Sequence, residues 1–143
     1  MVRLRWLELL PVKVWCCMKH EWQTWVQFAE TDFRRALGDV VEFPRGACFD
    51  FQQASEKFLK AILLQRGLEA PPIHNLRDLL LLLEPTLVSS SQVVQAARLL
   101  NLAITRGRYP AETDEPTADE AKAMGEAATV LRHFAREALG LKD

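Results

Sequence analysis

Two arginines and a tyrosine lie close together in the segment RGRYP, residues 106–110, and they carry the groups needed to bind a phosphate. The planar guanidinium groups of Arg106 and Arg108 suit phosphate oxygens, and the hydroxyl of Tyr109 can add a hydrogen bond. A structural role is the alternative, because cations are favoured beside the exposed carbonyl groups at the C-terminus of a helix. The acidic run AETDE that follows also offers both arginines partners within the chain.

His74, Lys57 and Lys60 are the other candidates for contact with an anion. The imidazole of His74 can serve as a base or an anion contact, or it can simply bond to nearby backbone at the start of a helix. The two lysines either add positive charge to a cleft or are solvated and ion-paired. Glu56 and Lys60 stand four residues apart in the orientation that favours an ion pair, worth about 0.2–0.5 kcal/mol on an exposed helix.

Cysteines and histidines do not form a recognisable metal-binding pattern. Cys16 and His20 could share one face of a helix, but no further ligands follow at a typical spacing, so we expect no metal and no other cofactor. The three cysteines, Cys16, Cys17 and Cys48, do not indicate a disulfide framework, which favours a reducing cytoplasm.

Helices must position these candidates, because apolar residues recur at helical spacing and no alternating strand pattern is present. The helix-start signals are Pro44, Asn75 as a cap, the run SSSQ, and Thr117 with Glu120 as a capping box. The predicted helices cover about 20–37, 44–66, 76–84, 90–105 and 118–139, with Gly38, Gly67, Pro85 and Gly140 at their ends. Short connections make neighbours antiparallel, so we predict an all-α, antiparallel up-and-down bundle of four to five helices.

Composition is that of one soluble globular domain. The chain has 143 residues, is 49% hydrophobic and 26% charged, and has a net charge of −1, so no overall field attracts nucleic acid or lipid. Residues 1–17 are too short and too interrupted by charge and proline to span a membrane, and they make a poor signal peptide. We therefore expect an N-terminal extension, 1–17, followed by one helical domain, 18–143, with no membrane association.

Three pieces of the sequence, in this order, resemble the HEPN family (higher eukaryotes and prokaryotes nucleotide-binding domain). They are CFDFQQASEKFLKAILLQRG, where the family has a pattern like aqQAaEKalKAll, then IHNLRDLL, and then RGRYP. The last piece is similar to the RYP-type prokaryotic members, and the resemblance extends over roughly residues 20 to 138. It implies a bundle of four or five helices, usually dimeric, in which the polar flank of the second helix faces the dimer cleft.

The resemblance also bears on activity. Some HEPN proteins are metal-independent ribonucleases, with an arginine followed four to six residues later by a histidine. Here no histidine follows Arg106 or Arg108 at that spacing, and His133 comes directly after Arg132. Other RYP-type members accompany a minimal nucleotidyltransferase and have been proposed to bind nucleotides.

Three hypotheses follow from these observations. The first is a non-enzymatic HEPN module that forms a homodimer and binds a nucleotide or a nucleotidyltransferase partner, as in a toxin–antitoxin pair. In it, the ligand contacts are Lys57, Lys60, His74, Arg106, Arg108 and Tyr109. The second is a weak ribonuclease that uses His74, Arg106 and Arg108 on RNA. The third is a helical interaction scaffold without a ligand.

Overall fold

The computed structural model describes residues 21–106 and 115–142, the side chains of Thr105 and Arg106 excepted. This part of the chain contains five helices and no strand. The helices are α1 Glu21–Asp39, α2 Pro44–Gln65, α3 Leu76–Leu83, α4 Gln92–Arg106 and α5 Ala118–Leu139. The predicted all-α helical bundle is confirmed, and the extension over residues 1–17 lies outside the described residues.

Local signals set the helix starts as the sequence predicts. Pro44 occupies the first turn of α2, where its missing N–H removes no helical hydrogen bond. The Asn75 side chain accepts hydrogen bonds from the first turn of α3, and Thr117 and Glu120 form the reciprocal capping box of α5. The ends differ by one or two residues: α1 continues through Gly38 to Asp39, and α4 begins at Gln92.

Helix α2 is the central helix, because it packs against each of the other four. Its fully buried side chains include Phe51, Phe58, Leu59 and Ile62, and the ring of Phe51 meets Phe33 of α1 edge-on with centroids 5.7 Å apart. Apolar burial of this kind is the main stabilising term, at about 25 cal/mol per Å² removed from water.

Charged pairs show how the helices run. Asp32 of α1 pairs with Lys57 of α2, and Arg35 pairs with Asp50, so later residues of α1 face earlier residues of α2. The two helices are therefore antiparallel. On the other side of α1, the Glu30 carboxylate accepts hydrogen bonds from Arg132 at 3.0 Å and from Arg136 at 2.8 Å, which fixes α5 against α1.

Candidate functional site

A row of polar side chains is buried along one side of α2. Gln52, Glu56 and Lys60 follow one another at four-residue intervals, so they lie on the same side of the helix. Their exposed fractions are only 0%, 6% and 5%. Buried polar groups of this kind are stable only when they are hydrogen-bonded, so their partners define the arrangement.

The Glu56 carboxylate is the centre of this polar network. It accepts hydrogen bonds from Lys60 Nζ at 2.7 Å, from Gln52 Nε2 at 3.3 Å and from His74 Nδ1 at 3.0 Å. Burial by itself raises the pKa of Glu56, but the hydrogen bonds from Lys60, His74 and Gln52, with the charge of Lys60, together hold it below its usual value. Glu56 is therefore an anion at neutral pH, and Lys60 is its buried counter-ion.

His74 connects this buried network to solvent. Its backbone carbonyl accepts a hydrogen bond from Gln52 Nε2 at 3.2 Å, while 57% of its side chain is exposed. Because Nδ1 faces an anionic carboxylate oxygen, Nδ1 carries a proton and donates it to that hydrogen bond. In the neutral ring, Nε2 is then an acceptor, and in the protonated ring it is a donor.

The residues after His74 are fixed by helices α3 and α4. Asn75 Oδ1 accepts from the backbone N–H of Arg77 at 3.0 Å and of Asp78 at 3.2 Å, which caps α3. From α4, Asn101 Oδ1 accepts from Leu76 N–H at 2.9 Å, and Asn101 Nδ2 donates to Asn75 Oδ1 at 3.0 Å. Three helices thus hold the short segment that presents His74.

The structure pairs both candidate lysines with carboxylates. Lys60 belongs to the His74 network through Glu56, and its ion pair is buried instead of exposed as on a solvated helix face. Lys57 binds Asp32 on the side of α2 that faces α1, where Asp32 also contacts Arg35. The Arg35 guanidinium forms two hydrogen bonds to Asp50, which raise its pKa above the usual value.

The remaining candidates belong to the end of α4 and the segment after it. Arg106 is the last residue of α4, and Arg108 and Tyr109 lie outside the described residues. The phosphate-binding role expected for these three residues therefore stays a prediction. Helix α4 contacts the site through Asn101, a residue that the sequence patterns did not indicate.

A separate cavity of about 170 Å³ lies between α2, α4 and α5. It is lined mainly by apolar side chains, among them Cys48, Leu99, Leu102 and Met124. Ligand pockets usually have volumes of about 300–1,000 Å³, so this cavity is small for a nucleotide. It does not compete with His74 as the candidate site.

The described part of the chain contains neither a cluster of metal ligands nor a membrane-spanning helix. Over residues 21–106 and 115–142, no group of three or more histidine, cysteine, aspartate or glutamate side chains is placed to hold a metal ion. The pair Cys16 and His20, considered as ligands from the sequence, lies outside the described residues. No helix of the described part is long and apolar enough to cross a membrane.

Comparisons with known proteins agree with the fold. The family model described as HEPN domain matches residues 22–138. The crystal structure of TT1696 from Thermus thermophilus is similar at 29% identity and a TM-score of 0.73, covering 83% of this chain and 98% of that one. The structure of ST0689, an archaeal HEPN homologue, is similar at 24% identity and a TM-score of 0.64, covering 81% of this chain and 95% of that one, a likeness that shows the fold alone. No curated protein matches the chain.

Proposed function

The chain belongs to the HEPN domain family, and from that premise we propose that it is a helical binding module that contacts a nucleotide phosphate through His74. The observation that carries this proposal is the exposed imidazole whose Nδ1 is fixed by the buried Glu56 carboxylate. This contact orients the ring and occupies Nδ1, which leaves Nε2 as the nitrogen that can bind a ligand. An imidazole held in place loses less freedom when it binds a ligand than a mobile side chain does.

Protonation of Nε2 determines what the site can bind. A protonated imidazole donates a charge-assisted hydrogen bond to a phosphate oxygen, whereas the neutral ring presents an acceptor that repels it. Contact with a phosphate therefore uses the ring that carries a proton on both nitrogens. The arginines at and after the end of α4 would supply the remaining positive charge.

Titration with a fluorescent ATP analogue tests this proposal. We expect His74→Ala to weaken binding by roughly 10- to 100-fold, because a hydrogen bond to a charged group contributes about 1.5–3 kcal/mol. His133→Ala is the matched control, since His133 is 61% exposed but lies on α5 beside Glu137. The proposal is refuted if the wild-type protein does not bind the analogue, or if the two histidine variants bind it equally well.

The protein partner in this proposal is a second copy of the chain or a nucleotidyltransferase, as in a toxin–antitoxin pair. Three apolar side chains around the α1–α2 connection support a protein contact there: Leu37, Val41 and Phe43 are 53%, 69% and 63% exposed. Light scattering on Phe43→Ser should show loss of the dimer, whereas Leu82→Ser, at an exposed position of α3, should not. A monomeric wild-type protein would exclude the homodimer, and co-purification with the nucleotidyltransferase would then be tested.

Cleavage of RNA is a second candidate function, and the Glu56–His74 hydrogen bond is what favours it. A histidine held by a carboxylate can accept a proton at Nε2 from an RNA 2′-hydroxyl. The hydroxyl oxygen then attacks the adjacent phosphorus, the bond to the 5′ oxygen breaks, and that oxygen takes a proton from water, giving a 2′,3′-cyclic phosphate and a 5′-hydroxyl. This role requires Nε2 without a proton, whereas the proposed phosphate contact requires Nε2 with one.

A fluorescent single-stranded RNA in the presence of EDTA distinguishes the two functions. If the protein is a binding module, neither the wild type nor Arg108→Ala cleaves the RNA. Cleavage by the wild type that is lost in both Arg108→Ala and His74→Ala, and kept in His133→Ala, would establish the nuclease instead.

A further inference from the structure

Among the described residues, Asn101 is the one side chain of α4 that forms hydrogen bonds to the segment containing His74. Both ends of its amide are used: Oδ1 accepts from Leu76 N–H at 2.9 Å, and Nδ2 donates to Asn75 Oδ1 at 3.0 Å. The two partners are consecutive residues at the start of α3. Their different chemistry fixes the orientation of the Asn101 amide, since only its oxygen can face an N–H donor.

With these bonds, the segment that contains His74 is held by both α2 and α4. On the α2 side, Gln52 binds the His74 carbonyl and Glu56 binds the ring. On the α4 side, Asn101 fixes the next two residues. With only the α2 contacts, the ring would remain hydrogen-bonded, but its position relative to α4 would no longer be set by a direct bond.

Asn101 lies in the C-terminal part of α4. Asn101 is five residues before Arg106, the last residue of the helix, which corresponds to about 7.5 Å along a helix axis. Asn101 therefore joins the two residues after His74 to the C-terminal part of α4. A ligand bound at His74 requires that the ring keep a constant position, which the contacts from α2 and α4 provide.

We infer that Asn101 is a positioning residue for nucleotide binding, an inference that depends on the function proposed above. It does not touch the ligand itself, and it acts by fixing His74 relative to the end of α4. Its loss should weaken binding by about tenfold, which corresponds to about 1.4 kcal/mol, because His74 would no longer be held from the α4 side.

The direction of the two amide contacts predicts which substitutions are tolerated. Asn101→Asp replaces the donor facing Asn75 Oδ1 with an oxygen, so two acceptors oppose each other. Asn75 cannot compensate by rotating its amide, because Oδ1 is needed by the N–H groups of Arg77 and Asp78. Asn101→Ser keeps an acceptor and has a shorter reach, so its effect should be intermediate or equal to that of Asn101→Ala.

The test measures binding of the fluorescent ATP analogue and the imidazole NMR signals of His74 in the same proteins. Asn101→Ala and Asn101→Asp should weaken binding and shift the His74 signals, while the His133 signals stay unchanged. Gln95→Ala is the matched control, because Gln95 is another α4 amide that bonds a loop carbonyl, Ser89 O, at 3.1 Å. Asn101→Ser serves as the second variant in case Asn101→Ala does not fold.

The outcomes separate this inference from the proposed function. If the wild type binds, His74→Ala does not, and Asn101→Ala binds like the wild type with unshifted His74 signals, the positioning role is wrong and the proposed function stands. If the wild type itself fails to bind the analogue, both are overturned. Lower thermal stability in Asn101→Ala with unchanged affinity would show a purely structural role and would also overturn the inference.

Discussion

Removal of one partner from the buried Glu56–Lys60 pair should destabilise the domain far more than an exposed ion pair would. The two side chains are only 8% and 7% exposed, and their contact is 2.7 Å. Glu56→Gln leaves the Lys60 ammonium in the interior without a counter-ion. We expect it to lower the free energy of unfolding by about 3–5 kcal/mol, the cost of an uncompensated buried charge.

The double variant separates the pair from its surroundings. Lys60→Met removes the charge and keeps a similar volume, so Glu56→Gln combined with Lys60→Met leaves neither charge unpaired. Replacing a whole buried pair by neutral groups is often close to neutral. The double variant should therefore be less destabilised than the sum of the two single variants by about 2–4 kcal/mol, against about 0.2–1 kcal/mol for an exposed pair.

Urea unfolding followed by circular dichroism measures each free energy. The slope of the free energy with urea should stay constant across the four proteins, because a change in slope would indicate that the unfolded state had changed. Effects of the two single substitutions that add to within about 0.5 kcal/mol would refute the reasoning. They would mean that the pair contributes no more than an exposed one.

Three further predictions concern stability. Because the folded-state pKa of Glu56 lies below its usual value of 4.5, the stability it contributes is complete above that value. It is lost as the pH falls through the folded-state pKa, so unfolding curves of wild type and Glu56→Gln should converge in acid. Gly125→Ala should destabilise the domain, because the new Cβ would lie 3.0 Å from the buried ring of Phe51. The cost of such overpacking, ~1–3 kcal/mol, exceeds the ~1 kcal/mol gained in helix propensity, and a lower urea midpoint would confirm it. Thr117→Ala should lower the free energy of unfolding by about 1 kcal/mol, since Thr117 Oγ1 accepts from Glu120 N–H at 3.1 Å; an unchanged midpoint would contradict this.

The helices could be predicted from sequence because their signals are local. Pro44, Asn75 and Thr117 each start a helix through contacts within three residues of themselves, so no knowledge of the rest of the chain is needed. The small differences at helix ends have the same origin, because the last turn depends on packing that short-range patterns do not contain. The α1 helix, for example, passes through Gly38 and ends at Asp39.

The site could be predicted only in part, because its contacts are long-range. The four-residue spacing of Glu56 and Lys60 predicts an ion pair, and the pair is present. The burial of this pair cannot be predicted from the residues around it. It depends on the segment with His74, eighteen residues later, which returns to contact Glu56. Asn101 was missed for the same reason: its partners are 25 and 26 residues away, and a single asparagine in a helix has no distinctive pattern.

The buried pair also bears on which residue can meet the charge of a phosphate. Because the Lys60 side chain is only 7% exposed, it could meet an anion in solvent only by moving away from Glu56, which would leave a buried carboxylate without its cation at a cost of about 3–5 kcal/mol. A charge-assisted hydrogen bond to phosphate returns about 1.5–3 kcal/mol, so this exchange is unfavourable. In the proposed contact, His74 would avoid this cost, because Nδ1 would keep its bond to Glu56 while Nε2 binds the phosphate. If the proposed function is right, Lys60 would act on ligand binding through Glu56 and the orientation of His74, and its replacement by methionine should alter affinity less than His74→Ala does.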